Sequence, residues 1–508
     1  RDPSSDAKGH VTLVAEHMPV ERLADFWPER LTPLPRTWIL ENMTVGTLGG
    51  TWELGFTCNQ ASHGDADPSI AVTDLSGQGY ARNMTVSYLD GMPPIKKAEA
   101  DLVFARDRLD MTLTHGVHQN LTITGGTIAL QNLDQEDNDA SLVLNVSGPL
   151  QEALALLDAQ PLGYVEALGL EVAEISGQVD TVLSLDFPLQ TDLTLAMVTT
   201  RAMAQVHDAT LHDIALGRSL EKGDLSVEVD KERLNVKGSG FFDTVPVTFE
   251  WEDCFAGRPF LKRYSVQANI HETYRQRSGN FLSFLPSGLV RGVAQLELTG
   301  VATSRQNHDL DLRVDFTPAH INVAALGWTK PEGTPAHARA NMHVRKGQIS
   351  EIPSLSFRSG TAASPSFSSL EGKAFFGLGN RLIQAHFDDI RIGKNQASVH
   401  VASDQERDML KVTVIGSVLD LSPLFHQDMA AKVGPPDPTV GFDSPSSSVQ
   451  DKSQHLPPLL MDVTFAKVRL ALGHAVTALN GATMYQNRRF ETANMTAILE
   501  DETLVTFD

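Results

Sequence analysis

The chain has 508 residues, and because single hydrophobic cores stop growing at about 250–300 residues, it forms several domains or an extended repeating structure. Acidic residues outnumber basic ones 63 to 41 and the formal charge is −22, which excludes nucleic acid as a partner, since phosphate needs a basic face. No apolar run of about 18 residues is present to cross a membrane as a helix, and an anionic membrane surface repels so acidic a chain unless another segment anchors it.

The first predicted elements are helical. Residues 20–31 place Leu23, Phe26, Trp27 and Arg30 at helical spacing, and residues 33–43 restart a helix after their prolines. From there period-two alternation dominates. Leu121 and Ile123 alternate with Thr122 and Thr124, "TGGT" at 124–127 reads as a turn, and "LDQEDNDA" at 133–140 reads as a solvated hairpin tip. The run Leu142, Leu144, Val146 leads into the clearest helix, 147–170. Ser147 or Gly148 would cap it, Pro149 would take its first position, and Leu150, Leu154 and Leu157 would form its stripe.

Alternation returns at Leu225, Val227 and Val229, closes with a turn at "VDKERL" (229–234), and repeats at Val245, Val247, Phe249 and Trp251. Leu296 and Leu298 follow. Leu310, Leu312, Val314 and Phe316 then alternate strictly with Asp309, Asp311, Arg313 and Asp315. The pattern breaks into a compact stretch holding Trp328, Lys330, Pro331, Glu332 and Gly333. Rigid turn chemistry there points to a structural corner, with Trp328 packed on the end of a sheet rather than Lys330 poised for catalysis. "RKGQ" at 345–348 is a further turn, Val412 and Val414 a further strand, and 419–425 a short helical turn. Residues 432–458, rich in Pro, Ser and Asp, cannot bury enough apolar surface to offset their ordering entropy and read as a disordered loop. Alternation resumes at 459.

Catalytic signatures are absent from the sequence: no nucleophile elbow, no phosphate-binding glycine loop and no dinucleotide fingerprint. His207–Asp208 and His212–Asp213 suggest a metal site, but their five-residue spacing puts the histidines on opposite faces of a strand. No catalytic residue, metal or cofactor is expected. A disulfide between Cys58 and Cys254 stays open, with both unpaired the favoured reading. The Asn-x-Ser/Thr sequons at Asn42, Asn83, Asn120, Asn145 and Asn494 read as chance occurrences in exposed strands.

The fold class expected is mainly β: an elongated, curled antiparallel sheet with a few short helices and a hydrophobic groove. So few helices cannot cover so long an apolar face, and sparse aromatics (6%) make that face an aliphatic wall suited to acyl chains. About 30–35 strands at a spacing of about 4.8 Å would make a trough on the order of 150 Å. Its divisions are an N-terminal groove segment with short helices (1–170), a central segment (171–431), the loop (432–458) and the start of a truncated C-terminal segment (459–508). The chain begins at Arg1 and ends inside an apparent strand, so it reads as a piece of a longer protein. The competing architecture is a structural or adhesive array of β-sandwiches with dry cores.

Four segments carry a family resemblance. "LADFWPERLTPLPRTWILENMTVGTLGG" (23–50) has a Trp-Pro…Arg-x-Trp pattern, and "PVTFEWEDCF…RPFLKRYSV" (246–266) a strand with an aromatic-rich turn. "FTPAHINVAALGWTKPEGTPA" (316–336) has a Gly-Trp-x-Lys-Pro-x-Gly corner, and "VIGSVLDLSPLF" (414–425) a Gly-x-x-Leu-Asp-x-x-Pro-Leu element. In this order they resemble the bacterial AsmA-like proteins, in particular the YhdP branch. Cys254 departs from the polar residue expected at its position. The resemblance implies a periplasmic, non-catalytic conduit for phospholipids between inner and outer membranes, anchored in the inner membrane by an N-terminal helix outside this chain. Leu312→Asp or Val314→Asp would then block passage and Asp311→Asn would be silent.

Overall fold

The computed structural model describes every residue except 1–6, 28–32, 60–68, 89–91, 134, 136, 160–174, 191–192, 195–196, 216–217, 256–259, 274–288, 305, 362–363, 365–366, 405, 424–456, 487–488 and 508. Strand makes up 74% of it and helix 9%, which establishes a mainly β protein built as open antiparallel sheet. Paired sandwiches with dry cores are thereby overturned. Twenty-seven strands are present among the described residues, and many of them outrun the short alternating stretches that signal them.

The chain divides into two compact units. The first holds β1 (Ala7–Pro19), β2 (Met43–Asn59), β3 (Ser69–Val86), β4 (Ile95–Ala105), β5 (Arg108–His118), β6 (Leu121–Gln131), β7 (Asp139–Pro149), β8 (Ile175–Pro188), β9 (Thr199–Ala215), β10 (Arg218–Asp230) and β11 (Arg233–Phe242). Each pairs antiparallel with the next. Its helices are α1 (Leu23–Phe26), α2 (Pro33–Asn42) and α3 (Leu150–Asp158). β12 (Val245–Cys254) straddles the division between the units.

The second unit holds β13 (Lys262–His271), β14 (Val290–Ser304), β15 (Asn307–Asp315), β16 (Ala319–Val323), β17 (Trp328–Lys330), β18 (Ala336–Arg345), β19 (Gln348–Ser359), β20 (Ser368–Phe376), β21 (Leu382–Ile392) and β22 (Asn395–Asp404). It continues through β23 (Met409–Asp420), β24 (Leu459–Arg469), β25 (Ala475–Gln486), β26 (Arg489–Ile498) and β27 (Leu504–Phe507). β15 pairs directly with β18, so β16 and β17 form a small side hairpin that joins the start of β14.

Several local expectations change. "TGGT" at 124–127 is no turn. It lies inside β6, where a register shift between Ile123 and Gly125 puts a bulge that bends the strand without ending it. Pro149 ends β7 and caps α3 instead of occupying its first position. Only 150–158 of the expected 147–170 helix is described as helix, and Leu157 of its stripe is exposed. The sheet is not antiparallel throughout, because β23 and β24 run parallel. A parallel pair requires the connecting chain to return to the starting end, which explains why a long segment intervenes at this point. Residues 432–456 of that segment, and Leu424 and Phe425 of the short helical turn, lie outside the described residues. The turns at 229–234 and 345–348 are present. The first is fastened by the Asp230 carboxylate, which accepts from the backbone N–H of Glu232 at 2.8 Å and Arg233 at 3.0 Å.

Candidate functional site

Cross-strand register, more than any cluster of reactive groups, defines the candidate site. In the second unit Val266 lies opposite Leu298, which lies opposite Leu312, then Ala340, then Leu355. The row continues through Gly372, Phe387, Val399 and Val414. It ends through Val463, Gly481, Met495 and Phe507. A second row beside it passes from Ala268 through Leu296, Val314, Ala338 and Phe357 to Leu370 and Ile390. In the first unit a comparable row joins Met18, Leu48, Ala81, Ala100, Leu113 and Gly126. It runs on through Leu144, Leu183, Ala202, Val229 and Leu234. Because side chains alternate faces with period two, each row is a continuous aliphatic band perpendicular to the strands.

The opposite face is polar and ion-paired. Asp311 accepts from Arg313 Nε at 3.0 Å, Arg339 Nη2 at 2.5 Å and Asn341 Nδ2 at 3.2 Å. Despite its burial, these partners hold its carboxyl below the usual range. Asp311 is therefore the hub of a surface network, and Asp311→Asn is not a silent control as the alternation alone suggested.

The nineteen apolar positions singled out in the sequence divide into two groups. Leu121, Ile123, Leu225 and Val245 are buried. Leu142, Leu144, Val146, Val227, Val229, Val247, Phe249, Leu296, Leu298, Leu310, Leu312, Val314, Phe316, Val412 and Val414 all keep partial exposure. Burial follows position along the strand. In the first unit the large buried side chains, among them Met84, Leu121, Ile123, Leu150, Ile175 and Val206, gather at one end of the strands. Register shifts recur there between β3 and β4, β4 and β5, β6 and β7, β8 and β9, and β9 and β10. Bulges bend a strand and increase its twist, so a line of them curls that end over. In the second unit the buried end carries Val290, Ala319, Ile321 and Trp328 in one cluster and Phe465, Val468, Val476 and Ala497 in another.

Period-two reading missed the row positions held by Gly and Ala, such as Gly126, Gly372, Gly481 and Ala338. A small residue breaks the alternation signal without breaking the row. It also missed Leu183, because Val182 beside it points to the other face.

The 316–336 corner sits at the buried end of the second unit. Trp328 packs on the sheet end, its ring 6.4 Å from Phe357. Lys330 is wholly buried, which turn chemistry did not foretell. Its ammonium donates to the carbonyls of Phe316 (2.6 Å), Thr317 (2.9 Å) and Ala319 (2.5 Å). Burial pushes its pKa down, opposed by Asp315 and Glu332. A cation saturated by three carbonyls clamps the backbone and has no donor left for substrate. Elsewhere, His207 lies 3.4 Å from Asp224 while His212 Nδ1 is 3.1 Å from Ser219 Oγ, so the two histidines face separate partners. Among the described residues no group of three or more His, Cys, Asp or Glu converges on a point, and no helix is long and apolar enough to cross a membrane.

The family model of the YhdP protein matches residues 10–368, well over half of the chain. The chain belongs to the YhdP family. No curated protein and no solved structure matches it significantly. YhdP proteins are cell-envelope, bridge-like transport proteins rather than a family of enzymes. Three of the four resembling segments lie within the match, and 414–425 lies beyond it.

The structure gives the YhdP motifs physical jobs. In the Trp-Pro…Arg-x-Trp segment, Arg36 Nε donates to the Trp27 carbonyl at 2.9 Å and ties α2 back to the residue after α1. In the Leu-Asp-x-x-Pro element, Asp420 is 5% exposed, and its backbone N–H donates to Asn395 Oδ1 at 2.7 Å. Although burial opposes ionisation, hydrogen bonds from the Ser422 hydroxyl and backbone, and the charge of Lys394, keep the Asp420 carboxyl below its usual range.

Proposed function

We propose that this chain binds phospholipid acyl chains on its apolar sheet face and passes lipid along it between the inner and outer membranes, through the periplasm. The observation that carries this reading is the row from Val266 to Phe507, apolar or glycine at every one of thirteen strands and made largely of half-exposed side chains. A soluble protein does not leave so large an apolar band half-covered without an occupant. Each methylene seated on it contributes about 0.8 kcal/mol. Because neighbouring strands present nearly the same aliphatic surface, a lipid moves from one to the next without a large barrier. Headgroups stay in water at the open side. The reading includes anchoring to the inner membrane and calls for no cofactor. Mass spectrometry of detergent-free protein, native and after solvent extraction, tests the reading: several phospholipids per chain support it, and a lipid-free monodisperse chain removes its basis.

A further inference from the structure

The apolar face of the second unit is interrupted at the end opposite the Trp328 corner. Tyr264 and His308 both point to that face, Tyr264 opposite Gly300 and His308 opposite Ala302. A Cβ at Gly300 would fall inside the Tyr264 ring, so the absence of a side chain there lets the phenol lie across β14 and reach β15. Its hydroxyl meets His308 Nδ1 at 3.2 Å, with the rings 6.0 Å apart. Burial raises the Tyr264 pKa to about 12, so the hydroxyl stays protonated and is able to donate. Donation to Nδ1 leaves the proton of a neutral imidazole on Nε2. That nitrogen makes no hydrogen bond among the described residues, and His308 is only half-buried. By contrast Thr483, also on the apolar face, donates its hydroxyl to the Thr492 carbonyl at 2.7 Å and is satisfied. Lys262, two residues before Tyr264 and therefore on the same face, brings a positive charge to this end.

We propose that His308, oriented by Tyr264, is a docking point for the phosphoester headgroup of a lipid whose chains lie on the adjoining aliphatic rows. This rests on the lipid-binding reading above and gives it a polar station. The Nε2–H donates to a phosphate or ester oxygen while Leu298, Leu310 and Leu312 meet the first methylenes. Tyr264 is a positioning residue that fixes the tautomer and itself need not touch lipid.

The test uses the full chain, 15N-labelled and free of detergent, in long-range imidazole NMR spectra, with His308 assigned by its loss in His308→Ala. Three probes are added below their micelle concentrations: dihexanoylphosphatidylglycerol, dihexanoylglycerol and inorganic phosphate. The expected result is an Nε2–H tautomer at His308 that responds to the phospholipid alone, with phospholipid affinity roughly tenfold weaker in His308→Ala. Tyr264→Phe should keep the fold and mix the His308 tautomers, which a merely packed ring would not do. Equal responses to dihexanoylglycerol, equal responses to inorganic phosphate, or no response at His308 each overturn the proposal. Phospholipids still carried by the chain in mass spectra would then show that the groove reading survives without this station.

Discussion

Gly327 lies against the ring of Pro423, at a backbone φ of +56° that glycine adopts without strain, and a Cβ there would overlap the proline ring. The contact joins the Gly-Trp corner to the Leu-Asp-x-x-Pro element, so one segment inside the family match and one beyond it hold each other. Gly327→Ala is expected to destabilise the second unit by roughly 1–3 kcal/mol, read as a lowered urea midpoint. An unchanged midpoint would mean that the corner is not a structural joint.

Lys330 offers a sharper contrast. Lys330→Met keeps the length of the side chain but leaves three carbonyls without their donor, at a cost of roughly 2–4 kcal/mol. Lipid carried per folded chain should not change. Loss of bound lipid with unaltered stability would move this lysine from structure to function.

Asp420 predicts a pH dependence. Its folded pKa lies below the ordinary value of 3.8, so the unfolded chain takes up its proton first as pH falls. The stabilisation is complete above that value and disappears as pH drops through the folded pKa. Asp420→Asn should therefore lower stability at neutral pH by roughly 1–3 kcal/mol, and the gap to the parent should close in acid. A gap that is constant with pH would assign the loss to packing.

For the apolar rows the comparison must hold charge constant. Leu312→Asp places a carboxylate in the Val266–Phe507 row, whereas Asn269→Asp adds the same charge on the exposed face of β13, opposite Gln295. Lipid stoichiometry should fall several-fold in the first and stay at the parent level in the second. Equal losses would detach lipid binding from this face.

Arg36 secures only its own neighbourhood. Arg36→Ala should raise hydrogen exchange across 20–42 while leaving the global unfolding midpoint nearly unchanged, as expected for a locally unfolding segment. A global loss of stability would make α1 and α2 part of the core instead.

Alternation in stretches such as Leu310–Leu312–Val314 was enough to identify strands, their one-sidedness and the scarcity of helical cover, because the side-chain period of a strand is written directly into sequence. It was enough, too, for the turns at Asp230 and Gly347. What the sequence could not reveal was register: nothing local says that Leu312 faces Leu298 and Ala340, or that Gly372 and Gly481 continue the same band. The parallel pairing of β23 with β24, the bulge that carries β6 through 124–127 and the total burial of Lys330 were equally hidden. Each depends on groups brought together from distant parts of the chain, and only the tertiary structure decided which strands became neighbours and therefore which side chains share a face.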